Sequence, residues 1–208
     1  ASGAFGFGRE YEKFYPLSRL GGISVKGMTL NPKDGNPPPR IAETPMGMLN
    51  SVGLQNPGID AFLEKELPEL SRKGTRVIAN VAGSTVEDCV EMVGKIEGSA
   101  VDMIELNISC PNVKQGGAAF GTSCESAAGI TAAVRKATTK PLMVKLSPNV
   151  TSITDIAKAV EAAGADAVSL INTLLGMRID IRSRRPILRN NVGGLAGPAG
   201  FPTAGRVG

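Results

Sequence analysis

The sequence predicts an α/β protein with a parallel sheet curled into a barrel. Three observations point there. From about residue 72 onward, short apolar runs alternate with helical periods; each run ends in a polar residue; and no Gly-x-Gly-x-x-Gly turn follows an early strand. Alternation of this kind implies parallel pairing through right-handed crossovers. Polar side chains at the C-terminal strand ends are where a (β/α)8 TIM barrel carries its chemistry. A doubly wound sheet shows the same alternation but usually has the glycine turn that is missing here.

The elements follow in order. Gly22-Ile-Ser-Val-Lys26 reads as a strand ending in Lys26. Asn31 to Pro45 is a proline-rich excursion, with Pro37-Pro-Pro39 too stiff for a helix. A helix is expected from Ile59 to Arg72, with Phe62, Leu63, Leu67 and Leu70 apolar. Arg76-Val-Ile-Ala-Asn-Val-Ala82 is a second strand, followed by a helix from Ser84 to about Glu97. That helix sets Val86, Cys89, Val90, Val93 and Ile96 on one face. Asp102-Met-Ile-Glu-Leu-Asn-Ile108 is a strand, then come a glycine-rich loop and a helix from about Cys124 to Thr138. Pro141-Leu-Met-Val-Lys-Leu146 leads to a helix over Thr151 to Ala163, with Ile153, Ile156, Ala157 and Val160 inward. Ala165-Asp-Ala-Val-Ser-Leu-Ile171 is the fifth strand, and Gly193-Gly-Leu-Ala-Gly-Pro198 reads as a loop entering another helix. A full eight-fold barrel needs about 250 residues. The expectation is therefore an incomplete TIM barrel, one partial domain over residues 1–208, lacking most of the first strand and the last two βα units.

Composition narrows the function. At 42% hydrophobic and 20% charged, the chain is ordinary for a globular protein. No apolar run approaches the roughly 18 residues that span a bilayer. The sequence contains no His, which excludes His-based triads, His general bases and His-ligated metals. Its three cysteines form no Cys-x-x-Cys pair, so neither zinc nor an iron–sulfur cluster is expected in this chain. With no secretory signal visible, the odd cysteine count favours a reducing, cytosolic setting. Arg178, Arg182, Arg184, Arg185 and Arg189 supply most of the net charge of +4. They read as a solvated basic loop or a loop that meets a partner subunit, and no motif accompanies them to suggest nucleic acid.

The residues suited to chemistry cluster at strand ends. Cys110 lies among Asn107, Ser109 and Asn112, where its thiolate can act as nucleophile or base. Cys89 sits on an apolar helix face and reads as buried and inert, and so does Cys124. Lys145, between Val144 and Leu146, is expected to point into the barrel and hold negative charge on a reduced cofactor; Lys26 repeats the pattern. Asn50, Asn80, Asn107 and Asn172 offer the mixed donors and acceptors that match a pyrimidine or isoalloxazine edge.

Eight segments then carry a resemblance that runs along almost the whole chain. They are Ala1-Ser-Gly-Ala-Phe-Gly-Phe-Gly8, Val25-Lys-Gly-Met-Thr29, Gly35-Asn-Pro-Pro-Pro-Arg40, Met48-Leu-Asn-Ser-Val-Gly-Leu-Gln-Asn-Pro57, Glu105-Leu-Asn-Ile-Ser-Cys-Pro-Asn112, Val144-Lys-Leu-Ser-Pro-Asn149, Ile171-Asn-Thr173 and Gly193-Gly-Leu-Ala-Gly-Pro198. Together they resemble the class 1 dihydroorotate dehydrogenases. Leu175-Gly-Met-Arg-Ile-Asp180 with Arg184-Arg-Pro186 resembles the NAD-linked class 1B. The resemblance implies oxidation of dihydroorotate to orotate: Cys110 takes the C5 proton and a hydride leaves C6 for flavin N5. It implies FMN contacts from Ser2, Lys26, Gly27, Asn80, Asn107, Lys145, Ile171 and Gly197. It implies substrate contacts from Lys26, Asn50, Ser51, Val52, Gly53, Leu54, Asn107, Asn172 and Thr173. It also implies a homodimer joined by a second subunit that carries FAD and an iron–sulfur cluster. Two other readings stand beside it: another FMN barrel acting on reduced pyrimidines, such as a dihydropyrimidine dehydrogenase, and a truncated flavoprotein piece without turnover.

Overall fold

The computed structural model describes residues 2–109 and 120–207. The chain runs β1 (Gly22–Ser24), β2 (Ile41–Thr44), β3 (Gly47–Asn50), then a helical stretch of α1 (Ile59–Ala61), a π-turn (Phe62–Glu66) and α2 (Leu67–Leu70). It continues β4 (Arg76–Val81), α3 (Val86–Glu97), β5 (Met103–Asn107), α4 (Cys124–Lys136), β6 (Leu142–Lys145), α5 (Ile153–Ala162) and β7 (Ala167–Ser169). It ends with β8 (Leu174–Met177), β9 (Ile179–Asp180), β10 (Arg185–Pro186), β11 (Val192–Ala196), a 3-10 turn (Pro198–Gly200) and α6 (Phe201–Val207).

Strands β1, β4, β5, β6 and β7 pair in that order, all parallel, as a curled half-barrel. All five strands expected from the sequence are present. Strand alternation sorts their side chains onto two faces. Ile23, Val77, Ala79, Val81, Ile104, Leu106, Leu142 and Val144 form one face and are buried in the core with residues of the flanking helices. The register places Asn80 beside Glu105, and Asn107 beside Lys145 beside Ser169, on the opposite, inner face. The sheet is thus apolar toward its helices, while within its curve these polar residues share the face with Ile78, Met103 and Met143.

The helices begin where local chemistry starts them. Thr85 caps α3, its hydroxyl accepting from the Asp88 amide at 3.0 Å while Asp88 accepts from the Thr85 amide at 3.2 Å. This reciprocal cap satisfies two of the amides that a helix start leaves open. Cys89, Met92, Val93 and Ile96 are the buried residues of α3. Val86 and Val90, expected on that face, are half-buried, and Met92 fills the centre instead. On α5, Ile156 and Val160 are buried, with Ile153 and Ala157 packed at the margin.

Three expectations are corrected. The excursion after β1 is not irregular throughout, because β2 and β3 form an antiparallel hairpin. Residues 193–198, read as a loop entering a helix, are mostly strand β11; a helix follows only at Phe201. β11 lies between β3 and β8, giving a second, antiparallel sheet of order β2-β3-β11-β8. The basic segment is not a plain loop either, since β9 and β10 pair as a short hairpin. Its five arginines are all exposed, as a solvated segment requires. Among the described residues, no helix is long and apolar enough to cross a membrane.

Candidate active site

The polar residues at the C-terminal ends of the parallel strands meet at one end of the half-barrel. Asn107 and Lys145 are the last residues of β5 and β6, Asn80 is the penultimate residue of β4, and Lys26 lies just past β1. Lys145 Nζ donates to Ser2 Oγ at 3.0 Å, and the Lys26 amide donates to the Gly6 carbonyl at 2.9 Å. The glycine-rich N-terminal segment therefore folds over the strand ends. Burial lowers the Lys26 pKa, and the nearby charges of Arg40 and Lys145 lower it further. Three cations thus share one region, which suits an anionic ligand whose charge offsets their repulsion.

The carboxamides are tied together. Asn107 Nδ2 donates to Asn80 Oδ1 at 3.4 Å. Asn107 Oδ1 accepts from the Ser109 amide at 3.2 Å and from Ser109 Oγ at 2.6 Å. Asn172, three residues beyond β7, donates from Nδ2 to the Ser109 carbonyl at 3.0 Å. Gly27 is buried against this set: a Cβ there would lie 2.8 Å from Asn80 Oδ1 and 3.3 Å from Leu54 Cδ2. Only glycine lets the backbone approach so closely.

The loop of Ser51, Val52, Gly53 and Leu54 comes in from the end of β3. Gly53 and Leu54 both have positive φ, at 80° and 55°. That shape is held from below by Asn56, which is buried and donates to the Leu54 carbonyl at 2.6 Å while accepting from the Thr29 and Gly58 amides. Asn36 donates from Nδ2 to the Ser51 carbonyl at 2.8 Å and from its amide to the Val52 carbonyl at 2.9 Å. Asn50 sits opposite Gly194 of β11, its Nδ2 donating to the Gly194 carbonyl at 3.4 Å. Thr173 presses on the same glycine, with Oγ1 only 2.0 Å from where a Cβ would be. Gly194 thus joins two expected substrate contacts, and sequence reasoning gave it no role.

Ile171 is half-buried next to Asn172. Gly197 is exposed and lies against Gly47, whose Cα is 2.9 Å from the position of a Cβ on it. That places it beside the β2–β3 turn, and none of its closest neighbours is one of the strand-end residues. Cys110 and Asn112 lie outside the described residues. Cys89 is buried, and burial pushes its thiol up to about 12, which leaves it protonated and inert. Cys124 is exposed at the first turn of α4, so the expectation of a buried cysteine there does not hold. Among the described residues no cluster of His, Cys, Asp or Glu could hold a metal.

A side chain not singled out from the sequence lies at the centre of the inner face. Glu105 is buried and accepts from Ser24 Oγ at 2.5 Å, Asn80 Nδ2 at 2.7 Å and Ser169 Oγ at 2.7 Å. Burial raises its pKa, but hydrogen bonds from Ser24, Ser169, Asn80 and Ser2 outweigh that and leave it below the ordinary carboxylate value. Its signal in the sequence was parity. Glu105 is two residues from Asn107 in an otherwise apolar strand, and a lone charge there is costly unless other strands supply donors.

A parallel α/β half-barrel with lysines and carboxamides gathered at its C-terminal strand ends is consistent with part of a TIM barrel, a fold class that carries its sites at that end. Residues 1–207 match the dihydroorotate dehydrogenase family, and the chain belongs to it. A relative from Geobacillus sp. (strain WCH70), named dihydroorotate dehydrogenase B (NAD(+)), catalytic subunit, is 58% identical over 208 residues, covering 100% of this chain and 66% of its own length. Relatives of the same name from Thermoanaerobacter pseudethanolicus and Listeria welshimeri are 58% and 57% identical, with 100% of this chain and 68% of each relative covered. The chain spans about two thirds of the length of the curated relatives it matches.

Proposed function

We propose that the whole protein oxidises dihydroorotate to orotate, as the FMN-carrying catalytic subunit of an NAD-linked dihydroorotate dehydrogenase. The observation that carries this is the convergence of Lys26, Asn80, Asn107, Lys145 and Asn172 at one end of the sheet, in a family member whose relatives bear that name. The residues fit FMN. Gly27 leaves room for close backbone approach, and the paired lysines and carboxamides suit a flat, anionic heteroaromatic ring. Ser2, Lys26, Gly27, Asn80, Asn107, Lys145, Ile171 and Gly197 would hold it. When bound, FMN supplies hydride acceptance.

The chain's own residues do the rest. Cys110, immediately after Ser109, takes the substrate proton and needs the thiolate form to do so. Lys26 pairs with the substrate carboxylate, and Lys145 would hold its positive charge beside the flavin ring. Asn50, the Ser51–Leu54 loop, Asn107, Asn172 and Thr173 hold the pyrimidine edge. The parallel strands are read as part of a closed (β/α)8 barrel that residues 1–208 only partly make. A second subunit with FAD and an iron–sulfur cluster takes the electrons on in the cytoplasm, and the catalytic subunit forms a homodimer.

The test is Cys110→Ala in the full-length protein. Anaerobic flavin reduction by dihydroorotate should disappear while FMN stays bound, and reduction at the parent rate would refute the assignment. Dihydrouracil run alongside decides the substrate class, because faster reduction by dihydrouracil than by dihydroorotate points to a different pyrimidine enzyme.

A further inference from the structure

We propose that Glu105 is a positioning residue, a buried carboxylate that sets which way the Asn80 and Asn107 carboxamides face and so fixes Ser109 at the floor of the site. Only the choice of ligands in the test rests on the function proposed above. Glu105 is 2% exposed. Three of its donors come from other strands of the half-barrel, Ser24 at the end of β1, Asn80 on β4 and Ser169 at the end of β7, and Ser2 of the N-terminal segment is a fourth.

An ionised carboxylate only accepts hydrogen bonds. Asn80 must therefore turn its NH2 toward Glu105, because the flipped amide would set oxygen against oxygen. Its Oδ1 then faces away and accepts from Asn107 Nδ2. That contact orients Asn107 in turn, leaving Asn107 Oδ1 to accept from both the Ser109 amide and its hydroxyl. Asn172 closes the arrangement from β7's side by donating to the Ser109 carbonyl. Donors point one way along the whole chain, from Ser109 through Asn107 and Asn80 to Glu105. Each amide has a single orientation because the last acceptor cannot donate. A neutral residue of the same size at position 105 would remove that constraint and leave two orientations close in energy.

A simple tether between strands would need no such polarity. Replacing it would lower stability but leave the folded site unchanged. The two accounts separate in the full-length protein with Glu105→Gln, which keeps the shape and gives one edge a donor. Three quantities are compared with the parent: FMN affinity of the apoprotein, orotate affinity from the flavin absorbance, and the Asn80 and Asn107 side-chain amide resonances without any ligand. The positioning role predicts that both resonances shift and that orotate affinity falls about 10- to 100-fold, the size expected when a charged hydrogen-bond partner is lost. A lower urea midpoint with unmoved amide resonances, and with FMN and orotate affinities within about twofold of the parent, overturns it. If the Gln variant does not fold, Glu105→Met, which is also neutral and similar in size, is measured against the same two outcomes. A parent protein that takes up neither FMN nor orotate refutes the proposed function instead, and the ligand-free resonances still decide the role of Glu105.

Discussion

The parallel half-barrel and the antiparallel sheet beside it are built on different terms. In the half-barrel, Ile23, Val77, Ala79, Ile104, Leu106, Leu142 and Val144 are buried in one continuous core with α3, α4 and the first helical stretch. Against the antiparallel sheet only Ala42 and Leu49 are buried together, with Leu188 from the segment after β10, while Ile41, Met48, Leu175 and Met177 on the other face are about half exposed, at 53%, 44%, 57% and 50%. The first region draws its stability from burial. The second has little to bury and instead brings Asn50 and Thr173 to Gly194, at the edge of the site. Scaffold and enclosure are separate parts with separate energetics.

The sharpest way to test that contrast is core truncation. Ile104→Ala should cost about 2–5 kcal/mol in urea denaturation, because the site is enclosed on all sides and collapses poorly around a cavity. Leu188→Ala, in the thin cluster, should fall at the low end of that range, about 2 kcal/mol. Equal losses would erase the distinction. Gly194→Ala should cost about 1–3 kcal/mol by overpacking against Thr173. It should also weaken orotate binding while FMN affinity holds, which equilibrium titration of the two ligands would show. The smallest effect is expected at Thr85→Ala, about 1 kcal/mol from loss of the α3 cap, with both ligand affinities unchanged. A ligand effect there would mean that the scaffold and the site are not separable.

Much of the half-barrel was legible in the sequence. Period-2 runs such as Arg76 to Ala82 and Asp102 to Ile108 are short, apolar and bounded by turn residues, so their strands and their polar ends were readable one at a time. The antiparallel sheet was not, for two reasons. Its middle strand, Val192-Gly-Gly-Leu-Ala196, is glycine-rich and has the composition of a loop. Its neighbour contributes Asn50, 144 residues earlier in the chain, and strand preference depends on the neighbours a segment finds. Glu105 was hidden in a similar way: in the sequence it is one charge in an apolar run.

The sequence by itself determined the five parallel strands and the helices between them, which polar groups stand at the strand ends, and the family to which the pattern belongs. Those follow from local periodicity and from residue types in order. Tertiary structure alone decided that β11 would lie between β3 and β8, that Gly194 would meet Asn50 and Thr173, and that Glu105 would be satisfied by Ser24, Asn80 and Ser169. The reason is that a buried charge or a glycine-rich strand is stable only through partners distant in the chain. Those partners are present only once the sheet has closed around them.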